Sequence, residues 1–263
     1  MEPGDRMKHG RMIKPPPLTP CRECAVRRLA LFRNVPLDRL EWTQEYRTAQ
    51  YRLAAKQSLY RQGERLDELY TVYSGWVKLY KILDNGKKQV LRFALPGDFL
   101  GFQGYLDRPI GHSAVTLTAC TLCTFPRDRL MALFRQDPQL ATDLMMIQVR
   151  DMSFCQEHLV STGSRNARER IAFLLLELYH RLRLIGQFQG DASDAGGLEV
   201  PITQEDIAEA CGLTPIHVNR TLRQLRDEQL ISCANGHLRV MNQAALTEMA
   251  NFDPGLLDCG TLV

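Results

Sequence analysis

Residues 202–226, ITQEDIAEACGLTPIHVNRTLRQLR, leave few ways to fold. Thr203 is an N-cap residue, and Asp206 three positions on completes a capping-box-like start. Ile207 and Ala208 give the first helix its apolar face. Gly212 supplies a tight turn, and Leu213 fills the space between two helices. Thr214 caps again, and Pro215 takes the first helical position, where its missing N–H costs nothing. Val218, Leu222 and Leu225 then fall at i, i+4 and i+7, one buried stripe. The same caps would serve a plain helical hairpin, but the outer face argues for a helix-turn-helix. Thr214, Pro215, Ile216, His217, Asn219, Arg220 and Arg223 lie off the buried stripe and are the expected DNA-facing set. Residues 230–240 read as two short strands around Asn235-Gly236, a pair that favours a type I′ turn. A helix-turn-helix followed by a hairpin is a winged helix, with His237 or Arg239 on the wing within reach of phosphate.

Charge tempers this reading. The chain of 263 residues carries a net charge of only +3. From Val200 onward there are four Lys or Arg (Arg220, Arg223, Arg226 and Arg239) against eight Asp or Glu. A broad electrostatic footprint is therefore excluded. The basic character is local, because Pro215–Arg226 holds three arginines and no acid, and a dimer would double it. With 44% hydrophobic and 24% charged residues, the rest has the composition of an ordinary two-domain soluble protein. No apolar run is long enough to span a bilayer, and no secretory signal opens the chain, so the expectation is a cytoplasmic protein without a membrane partner. Its eight cysteines should then be mostly reduced. A catalytic reading finds no Gly-rich phosphate loop, no Gly-x-Ser-x-Gly and no His-Glu-x-x-His.

The expected organisation is α+β in five parts. Residues 1–20, rich in proline and basic side chains, form a disordered tail. Residues 21–136 form a sensor domain, because short alternating runs broken by Asp84-Asn85-Gly86 and Pro96-Gly97-Asp98 suggest a small antiparallel barrel or roll. Residues 137–164 form a long helix from Pro138 to about Ser161. Its seam of Leu144, Met145, Gln148, Met152, Cys155 and Leu159 is the expected dimer interface. A competing stripe, Leu140, Leu144, Ile147, Asp151, Phe154 and His158, places a carboxylate and an imidazole mid-face. Residues 165–250 form the winged helix-turn-helix domain, opened by a helix over 166–184 and a loop over 186–197, and 251–263 a C-terminal tail.

Roll, long helix and C-terminal winged helix in this order resemble the Crp–Fnr family of bacterial transcription regulators. The resemblance rests on Tyr73-Ser74-Gly75, on Pro96-Gly97-Asp98-Phe99-Leu100-Gly101, on Asn166-Ala167-Arg168-Glu169-Arg170 and on the helix-turn-helix. It implies a homodimer whose recognition helices enter successive major grooves of a roughly palindromic duplex, and contact with RNA polymerase. Arg220 matches the arginine that reads guanine, whose O6/N7 pair suits a guanidinium fork. Ile216 stands where many members carry glutamate, and Asn219 where they carry Ser or Gly. Asparagine pairs with adenine and isoleucine touches only a thymine methyl, so the expected half-site differs from that of the best-known members.

For the signal, the resemblance offers cyclic AMP or an oxygen-labile iron–sulfur cluster. Gly101-Phe102-Gln103 and Gly111-His112-Ser113 stand where cyclic-nucleotide members carry a ribose-holding glutamate and a phosphate-pairing arginine, which argues against cyclic AMP. Cys21, Cys24 and Cys123 match three cluster-ligand positions of the oxygen-sensing branch, but the fourth is Ala30. Four thiolates are the usual requirement. Cys120 is a candidate substitute, although residues three apart on a strand point to opposite faces, and Cys155 is another. A zinc site, thiol–disulfide sensing through Cys21 and Cys24, an unused remnant, and a cyclic-nucleotide-like or absent effector all remain open at this point.

Overall fold

The computed structural model describes residues 19–102, 108–189, 197–234 and 236–257. The expected tail over 1–20 lies, apart from its last two residues, outside the described residues. So do Gln103, Asn235 and 258–263. The chain divides into two compact units, one ending at Asp143 and one beginning at Leu144.

In the first unit three single 3-10 turns, Cys21–Glu23, Arg27–Leu29 and Leu37–Arg39, lead to α1 (Leu40–Tyr46). Eight strands follow: β1 (Ala49–Leu53), β2 (Ser58–Tyr60), β3 (Glu68–Ser74), β4 (Val77–Ile82), β5 (Lys88–Ala94), β6 (Phe99–Leu100), β7 (Ser113–Thr116) and β8 (Cys120–Pro126). They form two antiparallel four-stranded sheets, ordered β1-β8-β3-β6 and β2-β7-β4-β5. The core holds Leu53, Tyr60, Tyr70, Val72, Val77, Leu79, Leu100, Ile110, Cys120 and Leu122. Gly75 closes the β3–β4 turn at φ +88°, where a Cβ would lie 2.4 Å from the Ala119 carbonyl oxygen. Only glycine fits there. α2 (Leu130–Gln136) ends at Asp137 before the long helix.

That helix, α3, runs Pro138–Ser164, and α4 runs Ala167–Gln189. α4 is longer than expected: Gly186 lies inside it, with Ile185 buried in the same turn, and the expected loop shrinks accordingly. The second unit continues with β9 (Leu198–Glu199), α5 (Gln204–Cys211), α6 (Pro215–Asp227), β10 (Ile231–Ala234), β11 (His237–Val240) and α7 (Gln243–Ala250). β9 pairs with β11, so the wing has a third strand that two residues of sequence did not announce.

The two candidate stripes of α3 prove to be its two faces. Leu144, Ile147 and Phe154 are buried in the single chain. The imidazole that seemed out of place there is paired, with His158 Nε2 2.9 Å from Glu177 Oε2 on α4. Arg181 Nη1 lies 3.1 Å from the other oxygen of Glu177 and its guanidinium stacks over Phe154. The opposite face exposes Met145, Val149, Met152, Leu159 and Val160, from 46% to 72%. Leu144, at 3% exposure, therefore does not belong to the expected outer seam. The 100° step of a helix carries it to the inner face next to Met145 on the outer one.

Candidate nucleic-acid interface and thiol cluster

α5 and α6 form as their caps dictate. Thr203 N donates to Asp206 Oδ2 at 2.9 Å, and Asp206 N donates to Thr203 Oγ1 at 3.1 Å. Gly212 ends α5 in the left-handed region at φ +63°. Thr214 Oγ1 accepts from His217 N at 3.3 Å, with Pro215 in the first turn. Val218, Thr221, Leu222 and Leu225 are buried on α6. Thr214, Pro215, Ile216, His217, Asn219, Arg220 and Arg223 are all exposed, Ile216 by 82%. Among the described large apolar side chains that are exposed, Ile216 is the most exposed. One contact was not anticipated: Asn219 Nδ2 donates to Gln204 Oε1 at 3.1 Å, linking α6 to the first residue of α5.

Basic side chains that hold this unit together are spent on structure. Arg165 donates to the Ser161 hydroxyl and to Glu157, and stacks over Phe173. Arg170 donates to the carbonyl oxygens of Arg165 and Cys211. Among the charged residues of the motif, Arg220, Arg223 and Arg226 on α6 and Glu205 on α5 are exposed.

In the first unit Cys24 and Cys123 lie beside Arg47, and Cys21 lies near both thiols. Arg47 Nη1 donates to the Thr19 carbonyl oxygen at 2.7 Å, and Gln44 Oε1 accepts from Cys21 N at 3.2 Å. Gln50, the cross-strand partner of Cys123, accepts from Thr19 N at 3.1 Å and directs Nε2 at Cys123 Sγ, 3.8 Å away. The segment carrying Cys21 is thus clipped over the strand carrying Cys123. Burial pushes the Cys123 thiol up to about 11, against the pull of Arg47, and burial pushes Cys24 up against the backbone N–H of Val26. Sequence reasoning passed over Arg47, Gln44 and Gln50. A glutamine at an inward position of β1 was the one signal that could have flagged them.

Cys120 is elsewhere. It packs in the apolar core at 1% exposure and its thiol donates to the Trp76 carbonyl oxygen at 3.2 Å. As a substitute for the missing fourth thiol it is corrected: strand alternation turns it to the face opposite Cys123. Cys155 is exposed on α3, far along the chain from the other three and in the other unit. Ala30 is buried and offers no donor atom. Among the described residues no group of three or more His, Cys, Asp or Glu side chains is placed to hold a metal ion. Three thiols, an alanine and a buried guanidinium, whose Nε is itself without a partner, do not fit a four-thiolate iron–sulfur cluster.

The interior of the roll is occupied by its own side chains. Tyr60 stacks on Tyr70 at 6.3 Å, and its hydroxyl lies 3.0 Å from His112 Nε2. Burial brings the His112 imidazole down to about 4, leaving it neutral. Arg127 is turned to the Gly101 carbonyl oxygen. Among the described residues no helix is long and apolar enough to cross a membrane.

Comparison with known proteins agrees with this layout. Residues 50–137 match the cyclic nucleotide-binding domain and residues 169–249 the Crp-like helix-turn-helix domain. The transcriptional activatory protein AadR of Rhodopseudomonas palustris is 31% identical over 229 residues, spanning 86% of this chain and 91% of that protein. The nitrogen fixation regulation protein FixK of Bradyrhizobium diazoefficiens is 29% identical over 231 residues, 88% of this chain and 93% of its own length. The solved structure of FixK2 from Bradyrhizobium japonicum superposes with a TM-score of 0.68 at 25% identity, over 76% of this chain and 96% of that one. Such relatives are regulators of transcription and not enzymes. With both domains matched in this order, and a relative of this identity along nearly its whole length, the chain belongs to the Crp–Fnr family of DNA-binding transcription regulators.

Proposed function

We propose that the protein acts as a homodimer that reads a roughly palindromic duplex with α6 of each copy, and that its N-terminal thiols make this binding responsive to oxygen or redox state. The observation that carries the DNA reading is the exposed face of Ile216, Asn219, Arg220 and Arg223 on a helix capped by Thr214. Arg220 reads guanine, Asn219 adenine, and Ile216 a thymine methyl; Thr214, Pro215, His217 and Arg223 approach the backbone or flanking bases. Dimerisation is supported by the bare apolar face of α3, on which Met145, Met152 and Leu159 recur every seven residues beside Gln148 and Cys155. The second unit is acidic, so affinity leans on two recognition helices acting together. Once bound, the dimer engages RNA polymerase, as its family resemblance implies. The protein works in the cytoplasm.

The sensing role is assigned to Cys21, Cys24 and Cys123 acting as thiols. Cyclic AMP is disfavoured, because Tyr60, Tyr70 and His112 occupy the roll, and Gln103 and His112 stand where the resemblance places a ribose-holding glutamate and a phosphate-pairing arginine.

A gel shift with random-sequence duplexes, run on protein kept anaerobic and on the same protein exposed to air, tests both parts. Recovery of a two-fold symmetric site by a sedimenting dimer supports the DNA reading; a monomer without sequence preference removes it. Purification under nitrogen with an absorption spectrum and metal analysis separates the chemistries. A brown, air-bleached protein that turns colourless on Cys21→Ser would restore an iron–sulfur cluster, whereas colourless, metal-free protein with an air-dependent shift leaves the thiols. Binding that ignores air in a colourless protein removes redox sensing.

A further inference from the structure

We infer that Gln204 sets the base preference of Asn219, acting through the hydrogen bond that joins the two helices of the motif. This rests on the reading of Asn219 as a base contact and adds the residue that makes that contact selective. Gln204 is the first residue of α5, immediately after the cap formed by Thr203 and Asp206. Its backbone is therefore fixed. Asn219 sits one position beyond Val218, which is wholly buried, so its backbone is fixed as well. Across fifteen residues of chain, Asn219 Nδ2 donates to Gln204 Oε1 at 3.1 Å.

That bond decides which way the Asn219 amide faces. An unrestrained asparagine presents its oxygen and its nitrogen with similar ease, and the two orientations favour different bases. With one Nδ2 hydrogen committed to Gln204, Oδ1 and the second hydrogen remain on the other side of the amide. An acceptor beside a donor is the pattern that adenine N6–H and N7 complement. The flipped amide would bring Asn219 Oδ1 against Gln204 Oε1, two acceptors in contact, so that Asn219 can turn only if the Gln204 amide turns with it. Adenine is favoured because the alternative needs both amides to turn together, and holding Asn219 before DNA arrives lowers the ordering cost of the contact. Gln204 is a positioning residue here, and the chemistry at the base belongs to Asn219. Both side chains are exposed, and neither supports the core.

The experiment uses the full chain and a pool of duplexes randomised across the half-site, sequenced after selection, with affinity for a fixed non-cognate duplex measured in parallel. Asn219→Ala should flatten the adenine preference at one base-pair step. Gln204→Ala should weaken the preference at the same step by about fivefold, with non-cognate affinity and the preference at the Arg220 step unchanged. Gln204→Glu, whose carboxylate accepts the same hydrogen, should restore the adenine preference although its charge lowers affinity for every duplex. The double variant should be no less selective than Asn219→Ala alone. A Gln204→Ala protein with an intact preference, or with a uniform loss across all sequences, overturns the inference while leaving Asn219 as the reader. If Asn219→Ala itself keeps the preference, the base-contact reading fails and the inference with it.

Discussion

Two enclosed histidines, His112 in the first unit and His158 in the second, are treated in opposite ways. In the roll, His112 lies among Tyr60 and the cationic Arg92 and Lys81; burial first, then those cations, hold it neutral with a pKa of about 4. In the second unit burial also disfavours the charge on His158, but the Glu177 carboxylate outweighs it and the pKa lies above the ordinary value. Glu177, fully enclosed, stays ionised because His158 and Arg181 face it from two sides. The roll thus holds His112 neutral beside tyrosine and under nearby cations, whereas in the helical unit His158 faces the buried Glu177–Arg181 pair. What decides is the neighbour and not burial alone. Four backbone positions of α4 let Glu177 and Arg181 meet at i and i+4, and α3 brings His158 to the same point.

Four measurements would break or sharpen that contrast, beginning with the largest effect. Glu177→Gln leaves His158 and Arg181 without a counter-charge, so the second unit should lose about 3–5 kcal/mol while the roll keeps its own transition. Calorimetry resolves the two; an unchanged melting profile would mean the triad contributes nothing. Arg220→Ala should cost about 1–3 kcal/mol of specific binding without moving either transition, read by titration of the selected duplex. A loss shared equally by non-cognate DNA would reassign Arg220 to phosphate.

The pH dependence should separate the units next. His112 has a folded pKa below its unfolded 6.5, so the roll loses stability as pH falls from 6.5 towards about 4. For His158 the folded pKa is raised; its contribution is complete below 6.5 and fades as pH rises through the raised value. Glu177, lowered from 4.5, keeps its contribution above 4.5 and loses it only as pH falls through the lowered value. As pH falls from 6.5 the roll's transition should drop further than that of the second unit, where only His180, lowered by burial, acts in the same sense; equal movement of both transitions would refute the contrast. Smallest in stability are the thiols. Cys21→Ser should leave the melting midpoint within about 0.5 kcal/mol but remove the response of DNA binding to air. Cys120→Ser should do the reverse, because its thiol lies in the apolar core and donates to the Trp76 carbonyl oxygen.

The sequence carried some of this and not the rest, for identifiable reasons. The helix-turn-helix was legible because caps, turn glycine and Pro215 act within a few residues, and local signals survive without tertiary context. The long helix was legible too, yet Leu144 was assigned to the wrong face, since neighbouring stripes of similar hydropathy differ only in what packs against them. Val149 and Val160 completed the outer stripe and could have been found from their spacing to Met145 and Met152. Gly186 and β9 were missed because helix continuation and a two-residue strand depend on partners distant in sequence.

By itself the chain determined the order of its parts, the capped reading helix, the absence of a fourth cluster cysteine at Ala30, and the opposite faces of Cys120 and Cys123. Each follows from covalent geometry and local periodicity, which need no third residue. Only the tertiary structure decided that the pKa of His158 is raised and that of His112 lowered. It also decided that Arg47 stands among the thiols, and that Gln204 holds Asn219. Those are meetings between segments far apart in the chain. The charge on a side chain, or the direction an amide faces, is fixed by whichever group the fold brings within about 4 Å of it.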